Sequence, residues 1–174
     1  MIDLIILGID LAGKSKNPTG ICIFKDNDII LKTVNEDKEI LEIAGTLRPD
    51  IIAIDSPIIS GKPRIRKADK ILKKYKAFPP TLPGMIQLTI RGSKLAEQLS
   101  AYSCVIEVFP TATAKILGIY HKDYKKTAAI LNVKVKSKHE LDAYICCLTG
   151  KLFIEQKTEN VGSKKEKIII PKEQ

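Results

Sequence analysis

Four acidic side chains lie in apolar stretches of the sequence, where an unpaired carboxylate is costly. Asp10 and Asp55 each lie near the end of a short apolar run, and Glu107 lies inside another. Asp142 has small or apolar neighbours at helical spacing. An ionised carboxylate among aliphatic side chains costs on the order of several kcal/mol unless it is paired. Because these acids cannot neutralise one another, the pattern predicts a shared divalent cation, Mg²⁺ or Mn²⁺, which prefers hard oxygen ligands.

Each of these acids also has an ordinary structural alternative. Asp10, Asp55 and Asp142 could be turn or cap residues, a common role for aspartate at the end of an element. Their recurrence in similar apolar settings favours a metal site. The neighbours of Glu107 leave open whether it faces the other acids or an edge of the sheet.

Two further residues are candidates for a supporting role behind the acids. Asp69 lies one turn beyond Arg66 in a basic segment, so it either supports the site or only forms a salt bridge with that face. His139 precedes Asp142 by one helical turn. It is either an exposed first-turn residue or a proton shuttle beside Asp142.

The apolar periodicity predicts the elements that position these acids. Strands at 4–12, 21–24 and 29–34 are joined by short turns and form an antiparallel meander. A helix over 36–47 then crosses over to a strand at 50–55, which we expect to lie parallel to the first strand and to bring Asp55 beside Asp10.

The second half of the chain alternates helices with shorter strands. Ser137 and Glu140 form a capping-box pattern that starts the Asp142 helix, with Gly150 as its expected stop. The other predicted elements are a basic helix over 64–75, an irregular proline-rich loop over 78–84, a helix from about 90 to 102, the Glu107 strand, a helix from about 111, and one late strand at 168–171.

Length and composition indicate one globular domain over residues 1–174, in which 151–174 form a C-terminal tail. No apolar stretch is long enough for a membrane span, and no basic segment precedes the first apolar run, so we expect a cytoplasmic protein. The four cysteines show neither zinc-site spacing nor a disulfide framework, and each is predicted to be a small buried hydrophobe.

The basic residues are candidates for contacts to nucleic acid. The net charge of +9 suits a polyanionic partner, although basic runs are also common on solvated faces. Several basic side chains follow the strands that carry Asp10 and Asp55, where a phosphodiester would approach. The predicted nucleic-acid-binding residues are Lys14, Lys16, Arg64, Arg66 and Arg91.

Residues 8–15 match the phosphate-loop pattern G-x-x-x-x-G-K-[ST] letter for letter. A phosphate loop works because its lysine and serine open a helix whose N-terminal amides hold the phosphates. Here Pro18 and Gly20 interrupt the chain at once and a strand is predicted next. Asp10 would also repel the phosphates, so we reject this interpretation.

The order of these elements resembles the ribonuclease-H-like fold, an α/β fold with a mixed central sheet flanked by helices. More closely, the chain resembles an uncharacterised domain family described as predicted nucleases of that fold. The matching stretches run almost from end to end: Gly8-Ile9-Asp10-Leu11-Ala12, Ile54-Asp55-Ser56-Pro57, Arg66-Lys67-Ala68-Asp69, Leu88-Thr89-Ile90-Arg91-Gly92, Val105-Ile106-Glu107-Val108-Phe109-Pro110, His139-Glu140-Leu141-Asp142-Ala143 and Ile168-Ile169-Ile170-Pro171.

The resemblance implies a metal-dependent nuclease acting on DNA or RNA. In that fold, acids on the first and fourth strands and on the last helix gather at one end of the sheet. Asp10, Asp55, Glu107 and Asp142 would then hold two divalent cations roughly 3.5–4 Å apart. Two alternatives stay open: an ATPase or phosphotransferase of the actin and sugar-kinase type, and a catalytically silent nucleic-acid-binding module.

Overall fold

A computed structural model describes residues 4–173 of the chain. Its central sheet has the strand order β3-β2-β1-β4-β5, in which β1, β2 and β3 are antiparallel neighbours while β4 and β5 run parallel to β1. The predicted meander and the parallel crossover are thereby confirmed. The five strands are β1 Ile5–Asp10, β2 Thr19–Lys25, β3 Asp28–Val34, β4 Ile51–Asp55 and β5 Cys104–Glu107.

Helices cover both faces of this sheet. The helices are α1 Asp37–Leu47, α2 Lys67–Leu72 with a short 3₁₀ turn at Lys73–Tyr75, α3 Pro83–Leu99, α4 Pro110–Ile116, α5 Tyr124–Ile130 and α6 Lys138–Ile154. A separate hairpin of β6 Thr158–Gly162 and β7 Lys167–Pro171 bridges the end of β5 through Ile169 and Val108.

Alternation along β1 sends its side chains into two different cores. Leu7 and Ile9 pack with apolar residues of α1 and α3, whereas Ile6 packs with Cys146 and Cys147 of α6. Since neighbouring residues of a strand point to opposite faces, the even-numbered positions of β1 face α6. Asp10 therefore lies on the α6 side of the sheet.

Two glycines let α6 approach the sheet closely enough to bring its first turns beside Asp10. A Cβ built on Gly8 would lie 2.3 Å from the carbonyl oxygen of Ala143, and one on Gly20 would lie 2.0 Å from that of His139. Both contacts are to backbone, which cannot move away as a flexible side chain could. A larger residue at either position would push the start of α6 off the sheet.

Several local predictions differ from the structure. Pro83 and Gly84 lie in the first turn of α3, which begins earlier than predicted because proline is well suited to the first helical position. Helix α6 runs past Gly150 to Ile154. Gly150 is a packing residue instead, since its Cβ would lie 2.9 Å from methyl groups of Ile6 and Ile51.

Other differences concern elements and residues whose sequence signals are weak. Helix α5 and strand β6 were not predicted; both are short, and their apolar patterns are weak. Cys104 is exposed at the start of β5, while the other three cysteines are buried as predicted. Ser137 caps α6 as predicted, accepting the Glu140 N–H at 3.2 Å. Within residues 4–173, no helix combines the length and apolarity that a membrane span requires.

Candidate active site

The register of the two central parallel strands brings Asp10 and Asp55 together. Asp10 is the last residue of β1, Asp55 is the last residue of β4, and the two are direct partners in the parallel ladder. Partners in register point to the same face of the sheet, which here is the face covered by α6. The strand pairing predicted from the sequence is confirmed, and it creates a pair of carboxylates at the carboxyl edge of the sheet.

The first turns of α6 complete this cluster with one further acid, one lysine and one histidine. His139 Nδ1 lies 2.9 Å from Asp10 Oδ2, and the Lys138 ammonium contacts the Asp142 carboxylate one turn along the helix. Lys138 did not emerge from the sequence as a candidate site residue. Its signal was the i,i+4 spacing from Asp142, which pairs opposite charges on one helix face.

Burial and like charge disfavour the ionised forms of the clustered aspartates. Burial raises the pKa of Asp55 well above its usual value, and the negative charges of Asp10 and Asp142 raise it further. Burial and Asp10 likewise raise the pKa of Asp142, against the attraction of Lys138. The hydrogen bond to Asp10 raises the pKa of His139. The cluster is therefore a set of mutually repelling acids that attracts positive charge.

Glu107 lies on the opposite face of the sheet from this cluster. Its partner in β4 is Ile54, which packs into the core beneath α3, whereas Asp55 points the other way. Glu107 is buried, and its Oε2 accepts the Ile58 N–H at 2.9 Å. Burial raises the pKa of Glu107 to about 7, although Arg66 and the Ile58 N–H act in the opposite direction.

The structure differs from the sequence prediction for Arg66, because its side chain is buried between two carboxylates. Its Nη1 and Nη2 donate to the two oxygens of Glu107 at 2.7 and 2.8 Å. Its Nε and Nη2 also donate to Asp69 at 3.0 and 2.8 Å. A guanidinium committed in this way is not exposed to a phosphate, so Arg66, Glu107 and Asp69 form an internal ion-pair network.

The donor chemistry of the aspartate cluster fits a divalent metal ion. Within residues 4–173, no three Asp, Glu, His or Cys side chains gather closely enough to ligate one ion. In the structure, Lys138 contacts Asp142 and His139 contacts Asp10. Asp10, Asp55 and Asp142 are nevertheless hard oxygen donors whose mutual repulsion a cation would relieve.

The structure is similar to that of T. thermophilus RuvC in complex with Holliday junction substrate, with a TM-score of 0.51 and 14% sequence identity over 88% of this chain and 96% of that chain. The chain has a ribonuclease-H-like fold. No family model matches the sequence, and no curated protein matches it significantly.

The segment that follows β1 is a turn and not a helix. Residues 14–17 form this turn, closed by a hydrogen bond from the Asn17 N–H to the Lys14 carbonyl at 3.0 Å, and β2 starts at Thr19. No helix N-terminus is therefore present at Lys14 and Ser15 to hold phosphates. The rejection of the phosphate-loop interpretation is confirmed.

The remaining basic residues divide into exposed and committed side chains. Lys14 and Lys16 are exposed in the turn that follows Asp10. Arg64 is half exposed and contacts Glu166. Arg91 differs from its predicted role, because it donates to Asp37 at 2.8 Å and to the carbonyl oxygens of Ala12 and Asn35 at 2.6 and 2.9 Å. Arg91 therefore ties α3 to the loop after β1 and to the segment that enters α1.

Proposed function

We propose that the protein is a metal-dependent nuclease that hydrolyses phosphodiester bonds in DNA or RNA. The observation that carries the proposal is the direct pairing of Asp10 with Asp55 on the face covered by α6, with Asp142 beside them. The similarity to RuvC, a protein solved with a Holliday junction substrate, supports the same class of activity. The actin and sugar-kinase alternative is not favoured, because such proteins need two domains of this kind around the nucleotide and the described residues form one five-stranded sheet.

Asp10, Asp55 and Asp142 are the proposed metal ligands. Bound Mg²⁺ or Mn²⁺ ions would supply an activated water and stabilise the leaving oxygen of the phosphodiester. We leave Glu107 out of this set, because both of its oxygens are engaged by Arg66 on the other face of the sheet. Asp69 and Arg66 then position Glu107, because Arg66 donates to both carboxylates. Glu107 in turn accepts the Ile58 N–H and so fixes the loop that follows Asp55.

Lys138 and His139 of α6 have a separate role in this proposal. Lys138 neutralises Asp142 and His139 forms a hydrogen bond with Asp10 in the absence of metal, which limits the cost of placing three acids together. Lys14 and Lys16 are exposed beside the acids and would contact the phosphate backbone. Such contacts position a substrate without reading its sequence.

The decisive experiment is a cleavage assay on single-stranded, duplex and branched DNA and on RNA, with Mg²⁺, Mn²⁺ or Ca²⁺. We expect Mg²⁺ or Mn²⁺ to support cleavage and Asp55→Asn to abolish it. Calcium should support binding with little turnover, because its looser coordination does not hold the reacting oxygens in line. Asp55→Asn should leave binding in calcium largely intact.

Asp50→Asn is the matched control for this assay. Asp50 precedes β4 at the opposite end of the same strand, where its carboxylate accepts the Ile5 N–H at 2.8 Å, and an asparagine oxygen can accept the same bond. Binding without cleavage of every substrate under every metal would favour the silent module. ATP hydrolysis that Asp55→Asn abolishes would favour the phosphotransferase.

A further inference from the structure

A cavity of about 170 Å³ opens directly beside Asp142. It lies between the segment that follows α4, the start of α5 and the first turns of α6. Both Lys138 and Asp142 line it, so the cavity is continuous with the acid cluster. Its other lining residues include Ala114, Tyr120, His121, Lys122, Tyr124 and Leu141.

The lining combines an apolar floor with an aromatic and basic rim. Ala114, Leu141 and Ile145 are buried in one apolar cluster that also packs against Tyr124. Lys122 is exposed at the rim, and Lys138 lines the cavity beside Asp142, which it contacts. A flat, partly apolar ligand whose negative charge is directed at Lys122 and Lys138 suits this arrangement.

Tyr120 offers an aromatic surface at the mouth of the cavity. Its side chain is 48% exposed, so the ring is accessible to a ligand at the edge of the cavity. The Lys115 ammonium lies 5.0 Å from the ring centroid and covers one side of the ring. An exposed ring beside lysines is the arrangement on which unpaired bases stack in proteins that bind single-stranded nucleic acid.

Hydrogen bonds hold the wall of the cavity in place. The His121 N–H donates to Thr127 Oγ1 at 3.0 Å, and Asp123 caps α5 by accepting the Lys125 N–H at 3.0 Å. His121 Nδ1 accepts the Asp123 N–H at 3.0 Å, so the neutral ring carries its hydrogen on Nε2. Nε2 is thereby a donor in a cavity that is formed before any ligand binds.

We propose that this cavity receives the base of an unpaired nucleotide whose phosphate lies against Lys138 and the acid cluster. The inference rests on the proposed nuclease function and specifies its substrate as nucleic acid with at least one unpaired nucleotide at the cleavage site. The size is suitable, because a cavity of roughly 150 Å³ holds one benzene ring. The sugar and phosphate would stay outside, between Lys122 and Lys138.

The test compares binding to a fluorescein-labelled oligothymidylate and to a fully paired duplex in Ca²⁺, measured by fluorescence anisotropy. Tyr120→Ala should weaken binding to the oligothymidylate by about tenfold, the effect of losing one stacked base, and should change duplex binding less than about twofold. Tyr120→Phe should keep both affinities, because the ring remains. Ile130→Ala, at an exposed apolar residue of α5 outside the cavity, is the matched control.

A second measurement locates the base directly and does not depend on any variant folding. Wild-type protein is photo-cross-linked to an oligonucleotide that carries 5-iodouracil, and the attached peptide is mapped. Cross-links to Tyr120, His121 or Tyr124 support the cavity as the base site. Cross-links confined to other regions, or an equal loss of both affinities in Tyr120→Ala, overturn it.

The two proposals fail in different ways. A selective loss of single-strand binding in Tyr120→Ala, together with no cleavage by the wild type, would retain the base site and refute the nuclease. Cleavage by the wild type with an unchanged preference in Tyr120→Ala would retain the nuclease and refute the base site.

Discussion

Arg66→Met is the substitution that tests most directly whether the buried ion-pair network supports the fold. Methionine keeps an unbranched apolar side chain in the space of the arginine stem and removes the guanidinium. Arg66 is buried and joins Glu107, at the end of β5, to Asp69 in the first turn of α2. The substitution therefore leaves two buried carboxylates without their cation.

The expected loss of stability follows from the hydrogen bonds that the substitution removes. The guanidinium donates to Glu107 at 2.7 and 2.8 Å and to Asp69 at 2.8 and 3.0 Å. Without it, Glu107 retains the Ile58 N–H and Asp69 retains the N–H of residue 66. Breaking a buried pair by removing one partner costs about 3–5 kcal/mol, and we expect Arg66→Met to lower the free energy of unfolding by that amount.

The assay is urea unfolding of the metal-free protein at neutral pH, in which the midpoint should fall and the slope should stay the same. Arg64→Met is the matched control, since Arg64 is half exposed and its contact to Glu166 is worth about 0–1 kcal/mol. The cost of Arg66→Met should shrink near pH 5, where Glu107, whose pKa burial already raises to about 7, is neutral. An Arg66→Met protein as stable as Arg64→Met would refute the reasoning.

Three further predictions concern the acid cluster. Asp10→Asn should raise or maintain the melting temperature of the metal-free protein, because it removes repulsion, and should reduce the stabilisation by Mn²⁺; an undiminished gain from Mn²⁺ would show that Asp10 is no ligand. The stability of the metal-free wild type should fall as pH rises from about 4, since the raised pKa of Asp55 makes the folded state bind more protons than the unfolded state. Asp55→Asn should flatten this pH dependence in thermal melts, and an unchanged slope would contradict the prediction. Lys138→Gln should tighten Mn²⁺ binding about fivefold in calorimetry, because it removes a cation that competes with the metal for Asp142. Lys136→Gln is the control and should leave Mn²⁺ binding unchanged. Equal effects of the two substitutions would show that Lys138 does not compete with the metal.

The sequence by itself determined the architecture and the positions of the acids along it. Short continuous apolar runs and helical stretches with period near 3.6 are local properties, so β1 and β4 could be placed as buried strands and their acids located at the strand ends. The parallel pairing of these strands followed from the intervening helix α1. The Ser137 cap of α6 was equally local, since Ser137 accepts the Glu140 N–H within one turn; the predicted capping box is incomplete, because the Glu140 carboxylate accepts the Lys136 N–H and not that of Ser137.

Only the tertiary structure decided which acids share a face and which side chains pair with them. Glu107 pairs with Ile54 of β4, the residue before Asp55, and therefore points to the opposite side of the sheet from Asp55. Arg66 is buried against it there. The placement of Lys138 and His139 depends on how closely α6 docks on β1 and β2 over Gly8 and Gly20. The local sequence pattern contains neither the register of β5 against β4 nor the distance of α6 from the sheet. Both are set by packing between elements that are far apart in the chain.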